Sequence, residues 1–283
     1  VRQHDLRIVD GELRARLPQA LEYDTEYEAL AEARLVRGAP FNGARWRFRT
    51  TPHRPVGDSV TVATEGRSHF RTVQGALDYA MSLPRAQPLT INVRDGVYPE
   101  LLYLRDKDNL TVRGASREAT VIRAANSDTL NPGSGTGQEA GTPGLLGGRA
   151  LFLAQDSDLL DLRDIALHNS TLRSDGHSPQ AETLFFSSRD GRLMVRNAHF
   201  LSEQDTLQLT GYAWFHKSLV EGNVDFIWGN NRAALFEDSE IRSIGDSARP
   251  DSGGYIVQAR TVGATEPGFV FLRSRLTRGA GPA

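Results

Sequence analysis

Two aspartates and two glutamines are spaced so that their side chains could meet on one surface. Asp205 and Asp225 lie 20 residues apart, and Gln180 precedes Gln204 by 24 residues. If the chain coils with nearly that period, residues one period apart stack on adjacent strands, about 4.8 Å from each other. Two carboxylates and two amides would then share one surface, which is an arrangement suited to catalysis.

A carboxylate pair of this kind can hydrolyse an ester. Two carboxylates about 5 Å apart do not both ionise easily, so the pKa of one should rise while the other stays low. One group can then attack as a carboxylate while the other donates a proton. Neighbouring amides could donate hydrogen bonds to the oxyanion that forms on the carbonyl of a covalent acyl intermediate. The same separation fits a retaining glycosidase, and the residues alone leave both reactions open.

Each of these residues also has an ordinary structural interpretation. An aspartate beside a turn most often hydrogen-bonds to the local backbone, which applies to Asp205 and Asp225 taken singly. Asp225, however, lies within the apolar run Val224–Trp228, where a charge is costly unless it is exposed or paired. Trp228 fits equally well as a core residue and as a stacking surface for a sugar.

An apolar repeat predicts the scaffold that would stack these groups. Its template is two apolar residues two positions apart and a third five positions later. It occurs as Leu160/Leu162/Leu167, Leu193/Val195/Phe200, Ala213/Phe215/Val220, Ala234/Phe236/Ile241 and Phe269/Phe271/Leu276. The last members are 33, 20, 21 and 35 residues apart, as expected of a basic rung that loops lengthen twice. Rungs of about 20–24 residues favour an all-β parallel β-helix, a solenoid, while a β-sandwich stays possible.

The rest of the chain divides into an N-terminal extension and the predicted coil. We expect residues 1–55 to form a partly helical extension, with a short helix over 26–36, and residues 56–283 to form the β-helix catalytic domain. A second helix is predicted over 72–83, where it would cap the N-terminal end of the coil. Residues 125–149, rich in Gly, Ser and Thr, indicate a long surface loop.

Composition argues against several classes of protein. The 283 residues are 39% hydrophobic and carry a net charge of −2, with no basic stripe for nucleic acid. No apolar run is long enough to cross a membrane. The chain has no cysteine for disulfides or thiolate chemistry, and its seven histidines lack a metal-binding spacing. Val1 is not a natural start, so we expect that a signal peptide was removed.

The motifs around the four polar residues resemble those of the pectin methylesterase (pectinesterase) family, in its bacterial type. The family's hallmark strings are matched by Gln204-Asp205-Thr206-Leu207, by Gly222–Gly229, and by Gln180-Ala181 before an apolar strand. Gly96-Val97-Tyr98-Pro99-Glu100 is similar to an early family motif, and residues 70–77 are similar to its opening strand-to-helix segment. The resemblance covers roughly residues 60–277 and implies a right-handed parallel β-helix.

The resemblance also implies a role for each residue. Asp225 would be the nucleophile, Asp205 the general acid and then the general base, and Gln180 and Gln204 would stabilise the oxyanion. The implied enzyme is a carboxylic ester hydrolase that demethylates methyl-esterified polygalacturonate (pectin) through an aspartyl acyl-enzyme intermediate. No metal and no organic cofactor are implied.

Further expectations concern the substrate and the location of the protein. Val224 and Trp228 match family positions that line the substrate groove. The expected partner is a polysaccharide, methylated galacturonan, and we expect neither nucleic-acid binding nor a transmembrane segment. The protein is expected to be a monomer that is extracellular, periplasmic or associated with the outer membrane.

Three departures from the family keep other functions open. The Leu-Gly-Arg-Pro-Trp motif, which supplies an arginine that holds the nucleophile, is missing; we expect it beyond Leu276 in a C-terminally incomplete chain, or lost in a divergent one. Gln208 stands where relatives often have tyrosine, and Glu182 adds a charge to a segment that is usually neutral. These changes allow a divergent envelope hydrolase of acyl esters or thioesters, or a carbohydrate-binding β-helix whose site has decayed. A calcium-dependent pectate lyase is disfavoured, because its acidic calcium ligands and its basic catalytic residue cannot be located.

Overall fold

The computed structural model describes residues 6–9, 12–15, 21–31, 35–36, 39–40, 43–51, 53–136, 147–176 and 180–279. The chain divides into two compact units. One comprises Val1–Arg16 with Asp58–Ala283, and the other comprises Leu17–Gly57.

The unit Leu17–Gly57 contains antiparallel strands where the sequence predicted a helix over 26–36. Its strands are Glu26–Ala31, Leu35–Val36, Ala39–Pro40 and Ala44–Arg49, of which the first pairs with the last and the middle two pair with each other. Tyr27 stacks on Phe48 across the longer pair, with ring centroids 5.8 Å apart. Glu28 forms ion pairs with Arg45 and Arg47. These cross-strand contacts outweigh the helix propensity of the Glu-Ala-Leu segment. The helix prediction was therefore wrong over the described residues, and residues 32–34 lie outside them.

The larger unit is a parallel β-helix, as predicted, in which three parallel sheets run along the coil. Sheet 1 contains Leu102–Arg105, Phe152–Gln155, Leu184–Ser187, Leu207–Leu209, Ile227–Gly229 and Val257–Ala259. Sheet 2 contains Ser59–Val62, Leu89–Val93, Leu110–Gly114, Leu160–Arg163, Arg192–Arg196, Gly211–His216, Asn231–Glu237 and Gly268–Leu272. Sheet 3 contains Gly96–Tyr98, Thr120–Ala124, Ala166–Asn169, His199–Leu201, Leu219–Gly222, Glu240–Ser243 and Arg275–Arg278. A separate antiparallel hairpin pairs Leu6–Val9 with Glu12–Ala15.

The interior of the coil is built from the apolar repeat that the sequence predicted. Its three columns are Leu160–Leu193–Ala213–Ala234–Phe269 and Leu162–Val195–Phe215–Phe236–Phe271 on sheet 2, and Leu167–Phe200–Val220–Ile241–Leu276 on sheet 3, each in strand register. The members from the first four turns are buried, whereas Phe271 and Leu276 in the last turn are exposed. Each of the first four turns therefore buries its apolar face against its neighbours, as in other solenoids.

Four phenylalanines form an aromatic ladder along the coil, in which Phe200, Phe215 and Phe236 are fully buried and Phe271 is exposed. Phe200 meets Phe215 edge to face at 5.6 Å between centroids. Phe236 stacks on Phe215 at 4.7 Å and on Phe271 at 5.0 Å. These geometries are among those that aromatic pairs prefer, so the ladder stabilises adjacent turns beyond simple area burial.

The helix Val73–Met81 packs against the first turns of the coil, which confirms the helix predicted over 72–83. Thr72 begins it as N-cap, and its Oγ1 accepts a hydrogen bond of 3.1 Å from the backbone N–H of Gly75. The buried carboxylate of Glu100 accepts the backbone N–H groups of Val73 and Gln74, each at 2.9 Å. Glu100, in the early motif, therefore satisfies helix N–H groups that have no partner within the helix.

Within the described residues, no helix combines the length and the apolar character that a bilayer crossing requires.

Candidate functional site

Asp205 and Asp225 occupy equivalent bends in successive turns of the coil. Each lies two residues before a strand of sheet 1, and these strands pair Leu207 with Ile227. Both aspartates have left-handed backbone, with φ of 59° and 48°, a conformation that Asp tolerates better than most residues. The backbone N–H of Asp205 donates to the carbonyl oxygen of Val224 at 3.0 Å. The structure thus places the two predicted carboxylates on adjacent rungs.

The glycines of the motif Gly222–Gly229 make this bend possible. A Cβ on Gly222 would lie 2.3 Å from the Cβ of Phe226, whose ring is fully buried in the core. Gly229 has φ of 128°, and a Cβ there would lie 2.2 Å from the carbonyl oxygen of Leu209. Only glycine fits either position without moving the backbone. The motif therefore turns Phe226 inward, and the neighbouring Asp225 stays partly exposed.

A third carboxylate, that of Glu182, continues the line formed by the two aspartates. Glu182 also lies two residues before its strand, and Leu184 pairs with Leu207 on the next turn. We call Glu182, Asp205 and Asp225 the carboxylate column. In the sequence Glu182 stands out only as an unusual charge, whereas in the structure it occupies the position equivalent to Asp205 one turn earlier.

The position of Asp205 in this column favours the protonated form of its carboxyl group. Its side chain is 5% exposed. Burial, followed by the charge of Glu182, raises its pKa from 3.8 to about 8, against the opposing influence of Arg149; Asp225 raises the pKa further, and a hydrogen bond from Gln204 lowers it. A carboxyl group in this state can donate a proton.

Arg149 balances the buried charge of Glu182. The side chain of Glu182 is 1% exposed, and the Nε of Arg149 donates to its Oε1 at 2.9 Å and its Oε2 at 3.0 Å. A second guanidinium nitrogen lies 2.8 Å from Oε1, and Asp128 lies 3.7 Å from the same arginine. Burial raises the pKa of Glu182, and Arg149 opposes that rise. Charge-assisted pairs with several contacts are among the strongest hydrogen bonds in proteins.

Gln180 and Gln204 lie beside the carboxylate column, where each is held by an arginine. The Oε1 of Gln180 accepts a hydrogen bond from Arg149. The Oε1 of Gln204 accepts one from Arg173, whose Nε lies 3.1 Å from the buried Oδ2 of Asp246. In each amide the oxygen is thus engaged and the NH₂ group is the donor; the NH₂ group of Gln204 donates one hydrogen bond to Asp205, and its second N–H can serve another acceptor.

The predicted groove residues lie close to the carboxylate column. Val224 is half-buried and pairs in register with Gln204. Trp228 is 8% exposed, and the guanidinium of Arg260 lies 4.9 Å from its ring centroid. This cation–π contact covers one face of the indole. The expectation that Val224 and Trp228 line a substrate groove stays a prediction.

Among the described residues, no group of three or more His, Cys, Asp or Glu side chains is arranged to hold a metal ion.

Sequence reasoning missed Arg149, Arg173 and Asp246. Arg149 closes the segment that was predicted to be a loop, and Arg173 and Asp246 lie outside the strands of the coil. Because none of them belongs to the apolar repeat or to a recognised motif, periodicity could not reveal them. The one available signal was Glu182, whose charge in an otherwise neutral segment requires a buried cation nearby.

Comparison with known proteins agrees with this arrangement. The Pectinesterase family model matches residues 59–280. A protein of Arabidopsis thaliana, "Probable pectinesterase/pectinesterase inhibitor 64", is 32% identical over 223 residues, which are 76% of this chain and 34% of that protein. Pectinesterase A of Dickeya chrysanthemi is 27% identical over 225 residues, which are 77% of this chain and 61% of that protein.

Solved structures share the fold. Pectin methylesterase PemA from Erwinia chrysanthemi superposes with a TM-score of 0.61 at 25% identity, covering 80% of this chain and 67% of that chain. A pectin methylesterase in complex with a hexasaccharide gives a TM-score of 0.61 at 24% identity, covering 77% of this chain and 66% of that chain.

The three-sheet coil is a right-handed parallel β-helix, the fold of these solved structures. Because the Pectinesterase family model matches most of the chain, the chain belongs to the pectinesterase family. It spans 34% to 64% of the length of the first curated relatives that it matches.

Proposed function

We propose that this chain carries the catalytic residues of a carboxylic ester hydrolase that demethylates methyl-esterified polygalacturonate. The observation that carries the proposal is that a buried Asp205, whose pKa is raised to about 8, lies one rung from a partly exposed Asp225. One proton donor and one accessible carboxylate are what attack on an ester requires. Family membership supports the choice of an ester as substrate.

The proposed reaction begins with attack by the Asp225 carboxylate on the ester carbonyl carbon. The tetrahedral intermediate places a negative charge on the former carbonyl oxygen, where the NH₂ groups of Gln180 and Gln204 donate hydrogen bonds. Asp205 gives its proton to the departing methoxide, which leaves as methanol. An acyl-enzyme anhydride between Asp225 and the substrate carboxyl group remains.

Deacylation uses the same two aspartates, with the role of Asp205 reversed. Asp205, whose pKa is about 8 before the reaction, is now a buried carboxylate and takes a proton from water as the water attacks the anhydride. The substrate leaves as a free galacturonate and Asp225 returns as a carboxylate. The high pKa therefore serves both steps, because Asp205 holds a proton readily and takes it back readily.

The polysaccharide substrate and the location of the protein are part of the same proposal. One similar structure is a pectin methylesterase in complex with a hexasaccharide, which supports an oligosaccharide binding along the coil here, with Val224 and Trp228 at the groove. We propose that the protein acts as a monomer where polymeric pectin is found, outside the cell or in the periplasmic or outer-membrane space.

The test is the Asp225→Asn variant, assayed for methanol release from methyl-esterified polygalacturonate. We expect turnover to fall at least about a thousandfold, because an amide cannot form the acyl-enzyme. Asp238→Asn is the matched control, since Asp238 has the same left-handed φ of 48° and lies on the surface. Undiminished turnover by Asp225→Asn would rule out the assignment.

A second candidate keeps the carboxylate pair and changes the substrate to an acyl ester or thioester. The buried Glu182–Arg149 pair beside the site favours it, because the family resemblance implies a neutral segment there. Measuring the wild-type protein on methylated pectin and on acyl thioesters separates the two candidates. Binding to pectin with no turnover of either substrate would instead indicate a decayed carbohydrate-binding protein.

A further inference from the structure

Both glutamines of the candidate site present their amide oxygen to a buried arginine. Arg149 donates to Gln180 and Arg173 donates to Gln204. Arginine carries only donors, so the amide atom that faces it must be the oxygen. The orientation of each amide is therefore fixed by the chemistry of its partner.

Each of the two arginines forms an ion pair with a buried carboxylate. Their side chains are 14% and 16% exposed. Arg149 is bound by Glu182, and Arg173 by the 2%-exposed side chain of Asp246. Asp246 also accepts the backbone N–H groups of Ala248 and Arg249 through its Oδ1, at 2.9 and 3.0 Å. Each glutamine thus rests on an arginine that is anchored by a buried carboxylate.

An amide that can rotate is a poor oxyanion donor, because its oxygen and its NH₂ group have similar shapes and opposite polarity. Rotation by half a turn would present oxygen to a developing negative charge. Preorganised donors stabilise a transition state because they need no reorientation during the reaction. A buried guanidinium beside the oxygen makes the rotated state repulsive, since two sets of donors would then face each other.

We propose that Arg149 and Arg173 are positioning residues that hold the amide NH₂ groups of Gln180 and Gln204 ready for the oxyanion. The inference rests on the proposed function of this site. Neither arginine needs to touch the substrate, and each acts through its glutamine. Glu182, unusual in its segment, gains a role as the anchor of Arg149.

The variants must avoid leaving a buried charge without its partner, because such a change destabilises the fold. Arg149→Met is therefore combined with Glu182→Met, which replaces the ion pair by side chains of similar length. Arg173→Met is combined with Asp246→Asn, since asparagine keeps the Oδ1 that accepts Ala248 and Arg249. Arg192→Met is the control, because Arg192 pairs with Asp158 and contacts none of the site residues named above.

The experiment measures kcat and KM for methanol release from methylated pectin, with kcat taken at the plateau of each pH profile. We expect each double variant to lose about tenfold to a hundredfold in kcat with little change in KM, because the amides act on charge that exists only in the transition state. Arg173→Lys retains a charge and a donor, so its loss of kcat should be smaller than that of Arg173→Met/Asp246→Asn. Arg192→Met should keep the wild-type kcat.

A double-mutant cycle separates positioning from a general structural effect. If Arg149 acts through Gln180, the Arg149→Met/Glu182→Met change should cost less than about twofold in a Gln180→Ala background. The same holds for the Arg173 pair in a Gln204→Ala background. Losses that multiply in full, or double variants within about twofold of wild type, would overturn the inference. Asp225→Asn in the same assay tests the proposed function separately, because it can be inactive whether or not the arginines matter.

Discussion

The aromatic ladder and the carboxylate column are built by the same stacking of turns and have opposite energetic consequences. In the ladder, register brings Phe215 and Phe236 to 4.7 Å between ring centroids. In the column, register brings Glu182, Asp205 and Asp225 together on consecutive turns. Stacking like residues stabilises when they are apolar, whereas it costs free energy when they are charged.

The repeat that stabilises the fold also brings carboxyl groups together and so makes them reactive. The rings of the ladder stabilise each other by stacking and require no polar partner. The column requires a guanidinium beside Glu182 and a proton on Asp205. Strongly shifted pKa values cluster at functional sites, and here the shift follows from the stacking of carboxyl groups on successive turns.

Among the changes that distinguish the ladder from the column, we expect the largest effect from Asp205→Asn, which removes the proton donor of the column. Asp205→Asn keeps the shape of the side chain and tolerates the left-handed φ of 59°. It cannot donate a proton to methoxide, so kcat should fall about 10²- to 10⁴-fold. The measurement is methanol release across a pH range. In the wild type, activity should also fall as pH rises through about 8, where Asp205 loses its proton. Retained turnover in the variant would remove Asp205 from the reaction.

The next effect concerns the aromatic ladder. Phe236 is fully buried between Phe215 and Phe271, so Phe236→Ala should lower the free energy of unfolding by about 3–5 kcal/mol. Urea denaturation followed by circular dichroism gives this value. Activity per folded molecule should stay near wild type, because the ladder carries no chemistry. A cost below about 1 kcal/mol would mean that the ladder does not hold adjacent turns together.

The column should make stability depend on pH. The pKa of Asp205 is raised from 3.8 to about 8 in the folded protein, so the folded state binds a proton that the unfolded state releases over that window. Its contribution is therefore favourable at low pH and is lost as pH rises toward 8. Relative to wild type, Asp205→Asn should gain up to about 4 kcal/mol in unfolding free energy between pH 5 and pH 8. Equal shifts for wild type and variant would contradict the raised pKa.

The apolar columns of the coil could be predicted from sequence, whereas the arginines that support the carboxylate column could not. Leu162, Val195, Phe215 and Phe236 reveal their register because burial imposes one residue type at one period. The two aspartates were found because they share that period. Arg149 and Arg173 approach the site from segments outside the strands, where no period constrains the residue type.

The helix prediction in the N-terminal unit was wrong for a related reason. Glu26–Ala31 has good helix formers, but its partner strand Ala44–Arg49 supplies Phe48 for Tyr27 and Arg47 for Glu28. Local helix propensity does not take account of a partner strand that lies many residues away. Both failures, the missed arginines and the wrong helix, therefore concern contacts between residues that are far apart in the sequence.

The smallest effect that we expect is the loss of stability when the N-cap of the helix Val73–Met81, which packs on the first turns of the coil, is removed. Thr72 Oγ1 accepts the backbone N–H of Gly75, while the Glu100 carboxylate accepts those of Val73 and Gln74. Thr72→Ala should therefore cost about 1 kcal/mol in unfolding free energy, the usual value of a lost N-cap. Thr265→Ala, at an exposed position, is the control and should be neutral. Because the carboxylate column lies on later turns, kcat should not change in either variant. A loss of kcat in Thr72→Ala would show that the helix Val73–Met81 and the carboxylate column are coupled. The apolar interior and the column would then not be independent parts of the coil.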